Sequence, residues 1–286
     1  MAPTHGREQQ IALVLSGGAS LGALQVGVMR SLAHAGFRPS MIVGTSVGAL
    51  NGAYLAFHAE PEDLDRLKTI WLGIRTQDVF PRNPLLMGYR LLAHRHHLFA
   101  AELLHGLVRE FLPEDSFAAA KIPLFITATN LTRGEKFVFH RGRVSDAIRA
   151  SIAIPGLLPP LVRRGAVYVD GGVVANLDVA TAVARGATRI LAIDATGCSA
   201  LPVRLTLQGL VVRAQTLMTR RQTDEVVARY AGVAEITLVC PRMRLAVDPT
   251  DFSHTAELIA WGERIGRGLA KQLDATAVNQ QASIRA

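Results

Sequence analysis

Residues 42–56 read IVGTSVGALNGAYLA. A short apolar, β-branched run ends in Gly44-Thr45-Ser46-Val47-Gly48, and an alanine-rich stretch that favours helix follows. A lone hydroxyl between two glycines, at the point where a strand becomes a helix, has a specific physical use. A serine on so tight a turn sits in strained backbone, and the flanking glycines let neighbouring chains pass without Cβ clashes. The turn lifts the Ser46 Oγ above the carboxyl edge of a sheet. It also aims the first N–H groups of the next helix at the spot where an oxyanion would form. The same residues fit an ordinary strand-to-helix turn whose glycines serve only close packing, so the surrounding sequence has to decide.

On the amino-terminal side, Ile11–Ser16 reads as a buried strand bounded by Gly17-Gly18. Leu21 to His34 reads as a helix, with Leu21, Leu24, Val28 and Leu32 at helical spacing and Gly36 as its stop. Met41–Thr45 and Val47–His58 repeat the strand–helix order, and Pro61-Glu62-Asp63 opens a third helix running to about Gly73. Strands are expected at Leu124–Asn130, Lys136–His140, Ala166–Val169, Arg189–Ile193 and Glu235–Val239. Helices are expected at Ser145–Ile152 with Ser145 as N-cap, Leu177–Arg185, about Leu205–Tyr230 and about Thr255–Leu273, with 275–286 frayed. This alternation predicts an α/β fold, a mostly parallel central sheet flanked by helices. No repeat or linker interrupts it, so a core over 9–196 is expected, with an inserted helical cap at about 80–120 and residues 197–286 completing the same domain.

A second glycine-rich turn, Leu15-Ser16-Gly17-Gly18-Ala19-Ser20-Leu21-Gly22, also joins a strand to a helix. A dinucleotide fingerprint would need glycine where Ala19 stands, and no Lys-Ser/Thr pair follows to make a P-loop. Oxyanion donors from Gly17, Gly18 and Ala19 are the better use of such a loop beside Ser46. The serine still needs a base. None of the nine histidines sits in a recognisable turn after a late strand; His94, His96 and His97 lie in a basic segment and His254 opens the last helix. Asp170, in Val169-Asp170-Gly171-Gly172, ends a strand at a sharp bend, while Asp194 is a rival without the glycine turn. Ligands of open α/β sheets bind outside the carboxyl ends of the strands, where these turns converge. A carboxylate is a feeble base toward a hydroxyl unless desolvation raises its pKa and it touches Oγ directly.

With 49% hydrophobic residues among 286 and 19% charged, a large core is available and global disorder is excluded. Cys198 and Cys240 are too few and too far apart for a metal site or a disulfide framework, so reduced thiols and a cytoplasmic location are expected. No signal peptide or membrane-spanning run is visible. The formal charge of +8 favours anionic surfaces. Nucleic acid is not expected, since no zinc-finger, RNP-like or helix-turn-helix pattern occurs; peripheral contact with a membrane is. Residues 84–108 mix Leu, Met, Tyr and Phe with Arg90, Arg95 and four histidines, which suits either a lipid-facing cap or a core helix pair. The helix bearing Arg213, Arg220 and Arg221 is a rival contact.

Together these motifs resemble the patatin-like phospholipase family. Gly17, Gly18 and Gly22 match its G-G-G-x-[K/R]-G loop, Gly44, Ser46 and Gly48 its G-x-S-x-G elbow, and Asp170, Gly171 and Gly172 its D-G-[G/A] turn. The likeness continues through AIRASIAIPGLLPPL (147–161) and GGVVANLDVATAVARGATRILAID (171–194). It implies a three-layer fold and a Ser–Asp dyad without histidine, with Ser46 as nucleophile, Asp170 as general base and Gly17, Gly18 and Ala19 as the oxyanion hole. The implied substrate is a phospholipid or other lipid ester, with no metal or cofactor. Two positions depart from the pattern: Ala19 replaces the third glycine and Leu21 the usual cation, as in a bacterial branch of the family. Those departures leave open a weakly active lipid-binding or regulatory protein; a thioesterase or small-ester esterase would share the dyad.

Overall fold

Alternation along the first strand sets the layers. In β1 (Ile11–Leu15), Leu13 and Leu15 enter one apolar cluster while Ala12 and Val14 enter another on the opposite face. A strand buried on both sides belongs inside a sheet covered twice over, which is what parallel α/β connections produce. The structure, a computed structural model, describes residues 11–80, 106, 108–109, 111–196, 205–242 and 247–284. The cap expected at about 80–120, with the segment carrying Arg90, Arg95, His94, His96 and His97, lies largely outside the described residues.

The remaining strands are β2 (Met41–Thr45), β3 (Leu124–Asn130), β4 (Glu135–Phe139), β5 (Leu161–Arg163), β6 (Ala166–Asp170), β7 (Arg189–Ile193) and β8 (Glu235–Val239). They form an eight-stranded sheet in the order β5-β6-β3-β2-β1-β7-β8, with β4 also paired to β3. Strands β3, β2, β1, β7 and β8 run parallel; β4 and β6 are antiparallel to β3, and β5 to β6. The sheet is therefore mixed. Its antiparallel end follows from short returns: Thr132-Arg133-Gly134 and Arg164-Gly165 are too brief to cross over a face.

One face carries α1 (Gly22–His34), α2 (Val47–Phe57), α3 (Pro61–Gly73), the short α4 (Thr76–Val79), α5 (Val144–Ser151) and the last helix. The other carries α6 (Val179–Ala184) and α7 (Leu207–Tyr230). The last helix, α8, extends over Thr255–Ile284, beyond the expected end near Leu273. It lies backbone to backbone against α1: a Cβ on Gly27 would stand 2.1 Å from the Ile259 carbonyl oxygen, and one on Gly262 2.1 Å from that of Leu24. Ion pairs fasten the seam, with Glu263 taking Arg30 at 3.1 Å and Lys68 of α3 at 2.9 Å.

Several expectations change in detail. Strand β5 is absent from the sequence reading. Arg143, not Ser145, is the N-cap of α5; Ser145 instead gives its N–H and Oγ to Asp115 at 2.7 and 2.6 Å. Helix α6 begins after Asp178, whose carboxylate caps the Thr181 N–H at 3.0 Å. Cys240 is disulfide-bonded rather than a free thiol.

Candidate active site

Strands β2 and β6 pair along the same edge of β3 and approach each other head-on. Thr45, the last residue of β2, is opposite Thr127, and Asp170, the last of β6, is opposite Ala128. The residue after β2 is Ser46, so the two carboxyl ends deliver Ser46 and Asp170 to one point. Asp170 arrives on an antiparallel strand, not on a parallel one as a uniform sheet would have it. The Ser46 Oγ donates to Asp170 Oδ2 at 2.5 Å, and both residues are buried.

Ser46 holds φ 55° and ψ −124°, a conformation that costs a non-glycine residue about 1–3 kcal/mol. Three local features hold it there. Its N–H donates to the Ser151 Oγ at 2.8 Å, and that hydroxyl donates onward to the Thr127 carbonyl at 2.6 Å. Helix α2 starts at once, with the Ala49 N–H on the Ser46 carbonyl at 2.9 Å. Gly44 and Gly48 then let the helix start press on the sheet: a Cβ on Gly48 would be 2.4 Å from the Leu15 carbonyl oxygen. The positive end of α2 therefore faces the hydroxyl.

Asp170 keeps its other oxygen on the Gly172 N–H at 2.7 Å, which is why glycines follow it. Gly171 passes so close to β3 that a Cβ would stand 2.4 Å from the Thr127 carbonyl oxygen. Burial raises the Asp170 pKa to about 6, against the pull of the hydrogen bonds from Ser46 and Gly172. No cation offsets that burial among the causes of its shift. The result is a carboxylate basic enough to take a hydroxyl proton near neutrality.

Residues 16–21 arch over this pair. Gly18 has φ 152° and Ala19 φ 49°, and neither N–H has an acceptor among the described residues. The Gly17 N–H does have one, the Asn176 carbonyl at 3.3 Å. Of the three amides expected as oxyanion donors, those of Gly18 and Ala19 are the two without an acceptor among the described residues. Gly17 serves instead as a spacer, since a Cβ there would be 2.6 Å from Asn176 Oδ1 and 3.1 Å from the Ser46 Cβ. Leu21 is buried in the apolar core, so the missing cation is replaced by packing. Gly22 lies against Val47, 2.5 Å from a hypothetical Cβ, tying this loop to the elbow.

Two buried networks that the sequence did not disclose hold the arch. Asp194, the rival carboxylate, faces away from Ser46: it accepts from Thr223 Oγ1 at 3.0 Å, from the Thr196 N–H at 3.0 Å and from Ser16 Oγ at 3.4 Å. Burial pushes its pKa up as well. On the other side, the Trp71 indole donates to Asn51, Asn51 to Gln25, and Gln25 to the Ser16 carbonyl, at 3.0, 3.0 and 2.9 Å. His254 pairs with Glu257 at 3.2 Å on α8 and takes no part in the site.

A cleft of about 90 Å³ opens over the pair. Phe80, Ile154, Leu157, Val212 and Pro249 give it apolar walls, with Thr216 and Thr219 among them. Among the described residues, no group of three or more His, Cys, Asp or Glu side chains gathers to hold a metal. No helix of the described residues is long and apolar enough to cross a membrane.

The family model described as "Patatin-like phospholipase" matches residues 13–183. The chain is 32% identical over 192 residues to lysophospholipase NTE1 of Mycosarcoma maydis, covering 64% of this chain and 10% of that protein. It is 30% identical over 186 residues to patatin-like phospholipase domain-containing protein 7 of Rattus norvegicus, covering 64% and 13%. The chain thus spans a small fraction of the length of these curated relatives. Among solved structures, VipD from Legionella pneumophila aligns with a TM-score of 0.48 at 15% identity, over 93% of this chain and 67% of that one.

Proposed function

Because the chain belongs to the patatin-like phospholipase family, we propose that it is a serine hydrolase of lipid acyl esters, with Ser46 as nucleophile and Asp170 as general base. The observation that carries this reading is the 2.5 Å contact between Ser46 Oγ and a buried carboxyl raised to about 6. In the first step the Ser46 Oγ bonds to the acyl carbonyl carbon while its proton passes to Asp170 Oδ2. The carbonyl electron pair moves to oxygen, which the Gly18 and Ala19 N–H groups meet. When that pair returns, the bond to the alcohol breaks and Asp170 gives its proton to the departing oxygen. Water then attacks the acyl-serine, losing its proton to Asp170. The fatty acid leaves and Ser46 recovers its hydrogen.

One carboxylate suffices for both half-reactions because ester leaving groups need little acid assistance, in contrast to amides. The apolar walls of the cleft suit an acyl chain. Phospholipid and lysophospholipid turnover, with fluorophosphonate labelling of Ser46, tests the reading. Wild type is expected to label and to turn over lipid ester, and Ser46→Ala to do neither. A folded wild-type protein that resists labelling, or an ester rate that survives Ser46→Ala, would return the protein to the lipid-binding class.

A further inference from the structure

Helix α7 has two different outer faces along its length. Its first half shows Leu210, Val211, Leu217 and Met218 to solvent, each at least half exposed, with exposed Ala214 among them. At about 100° per residue these five fall within an arc of roughly 120°, a continuous apolar stripe. One turn further on, the same outer face becomes charged, with Arg220–Asp224 and Arg221–Glu225 ion pairs. Beside the helix, exposed Val173 is held by the Gln222 side chain, which donates to its carbonyl at 3.1 Å. Scattered apolar side chains need no explanation, but five on one half of one helix do.

The inner side of that same half walls the cleft. Val212, Thr216 and Thr219 face Ser46 and Asp170 from the opposite arc of the helix. Whatever covers the stripe therefore sits one helix diameter from the nucleophile. Residues 205–223 contain Arg213, Arg220 and Arg221 and no Asp or Glu, in a chain of net charge +8. Apolar side chains beside arginines, of which Arg220 and Arg221 are offset by Asp224 and Glu225, suit the boundary between acyl chains and anionic headgroups.

We infer that the first half of α7 is the docking surface for an anionic lipid bilayer, lying flat in its interface so that the cleft receives substrate from the membrane plane. The choice of a bilayer over another occupant rests on the lipid-ester reading of Ser46 and Asp170. The stripe itself does not depend on it.

The test uses the full chain and a Leu217→Asp/Met218→Asp variant, whose two positions lie outside the cleft. Co-sedimentation with vesicles of phosphatidylcholine plus phosphatidylglycerol, and with phosphatidylcholine alone, reads docking. Turnover of lipid in those vesicles and of a short, water-soluble ester reads chemistry. Expected is wild-type binding that favours the anionic vesicles, reduced at least about tenfold in the variant. Vesicle turnover should fall with it while the soluble-ester rate stays unchanged. A second variant, Arg213→Gln/Arg221→Gln, should lose the preference for anionic vesicles. Vesicle binding unaltered by Leu217→Asp/Met218→Asp would overturn the inference. So would a wild type that ignores vesicles but forms a dimer that this substitution dissociates, since the stripe would then be a self-interface. Docking lost in the variant, with no soluble-ester turnover in wild type, would uphold the surface and sink the hydrolase reading instead.

Discussion

Asp170 carries a proton-affinity problem that its neighbours do not relieve, and the pH behaviour follows from it. Its pKa is about 3.8 in an unfolded chain and about 6 in the fold. Only the ionised form accepts a proton from Ser46, so kcat/KM should rise with pH along one limb whose midpoint is near 6. Stability moves the other way. Between the two values the folded protein binds the proton more tightly than the unfolded chain does, so stability falls as pH rises from about 4 to 6 and stays low above. Asp170→Asn removes the charge but can still accept from the Gly172 N–H. Above pH 6 it should raise the unfolding free energy by about 2–3 kcal/mol while cutting ester turnover by about a thousandfold or more. Thermal melts and rates measured from pH 4 to pH 9, on the order of five units, would check both. A variant no more stable than wild type at high pH would contradict the desolvation argument.

Where α2 meets the sheet, the elbow depends on backbone contact. Gly48→Ala puts a methyl 2.4 Å from the Leu15 carbonyl and 2.6 Å from that of Ser16. Neither is a flexible side chain, so α2 must lift from β1; the expected cost is about 3 kcal/mol or more, with loss of fluorophosphonate labelling. Gly73→Ala, at the end of α3 with open space around it, is the control and should be nearly neutral. Elements of this kind were readable in advance. Strands β2, β3 and β7 fall where the apolar runs and their glycine or polar bounds put them, because parallel strands buried on both faces leave a strong sequence signal. Strand β5 did not, since three residues flanked by Pro160 and Arg164 carry no period. Ser46, Asp170 and the glycines around them were legible because tight turns demand particular residue types. Ser151 was not: its hydrogen bond to the Ser46 N–H spans 105 residues, and nothing local in α5 marks it. Nor could spacing reveal that the Gly17 N–H is spent on Asn176.

Across the full fold, α1, α3 and α8 are locked by one carboxylate. Burial pushes Glu263 up, but the Lys68 hydrogen bond and the charges of Lys68, Arg30 and Arg267 outweigh it and hold the group low. Arg30 also pairs with Asp65 of α3. A lowered folded pKa means that this contribution is complete above the ordinary glutamate range and is lost as pH drops through the folded value. Glu263→Gln should therefore cost about 2 kcal/mol near neutral pH and flatten the loss of stability on acidification. Denaturant titrations at pH 7 and in mild acid would show it; equal acid sensitivity in both proteins would place the effect elsewhere. The Ser46–Asp170 pair is remote from Glu263, so the midpoint of the rate profile should not move.

The glycine seam between α1 and α8 also bears on biosynthesis. Ser46, the arch at 16–21 and Asp170 all leave the ribosome before Thr255, yet the helix leading from that arch has its outer side bare until α8 emerges. A nascent chain halted between β8 and α8 would thus hold every reactive group and still display an uncovered ridge along Leu24 and Val28, a natural handle for chaperones and proteases to grip.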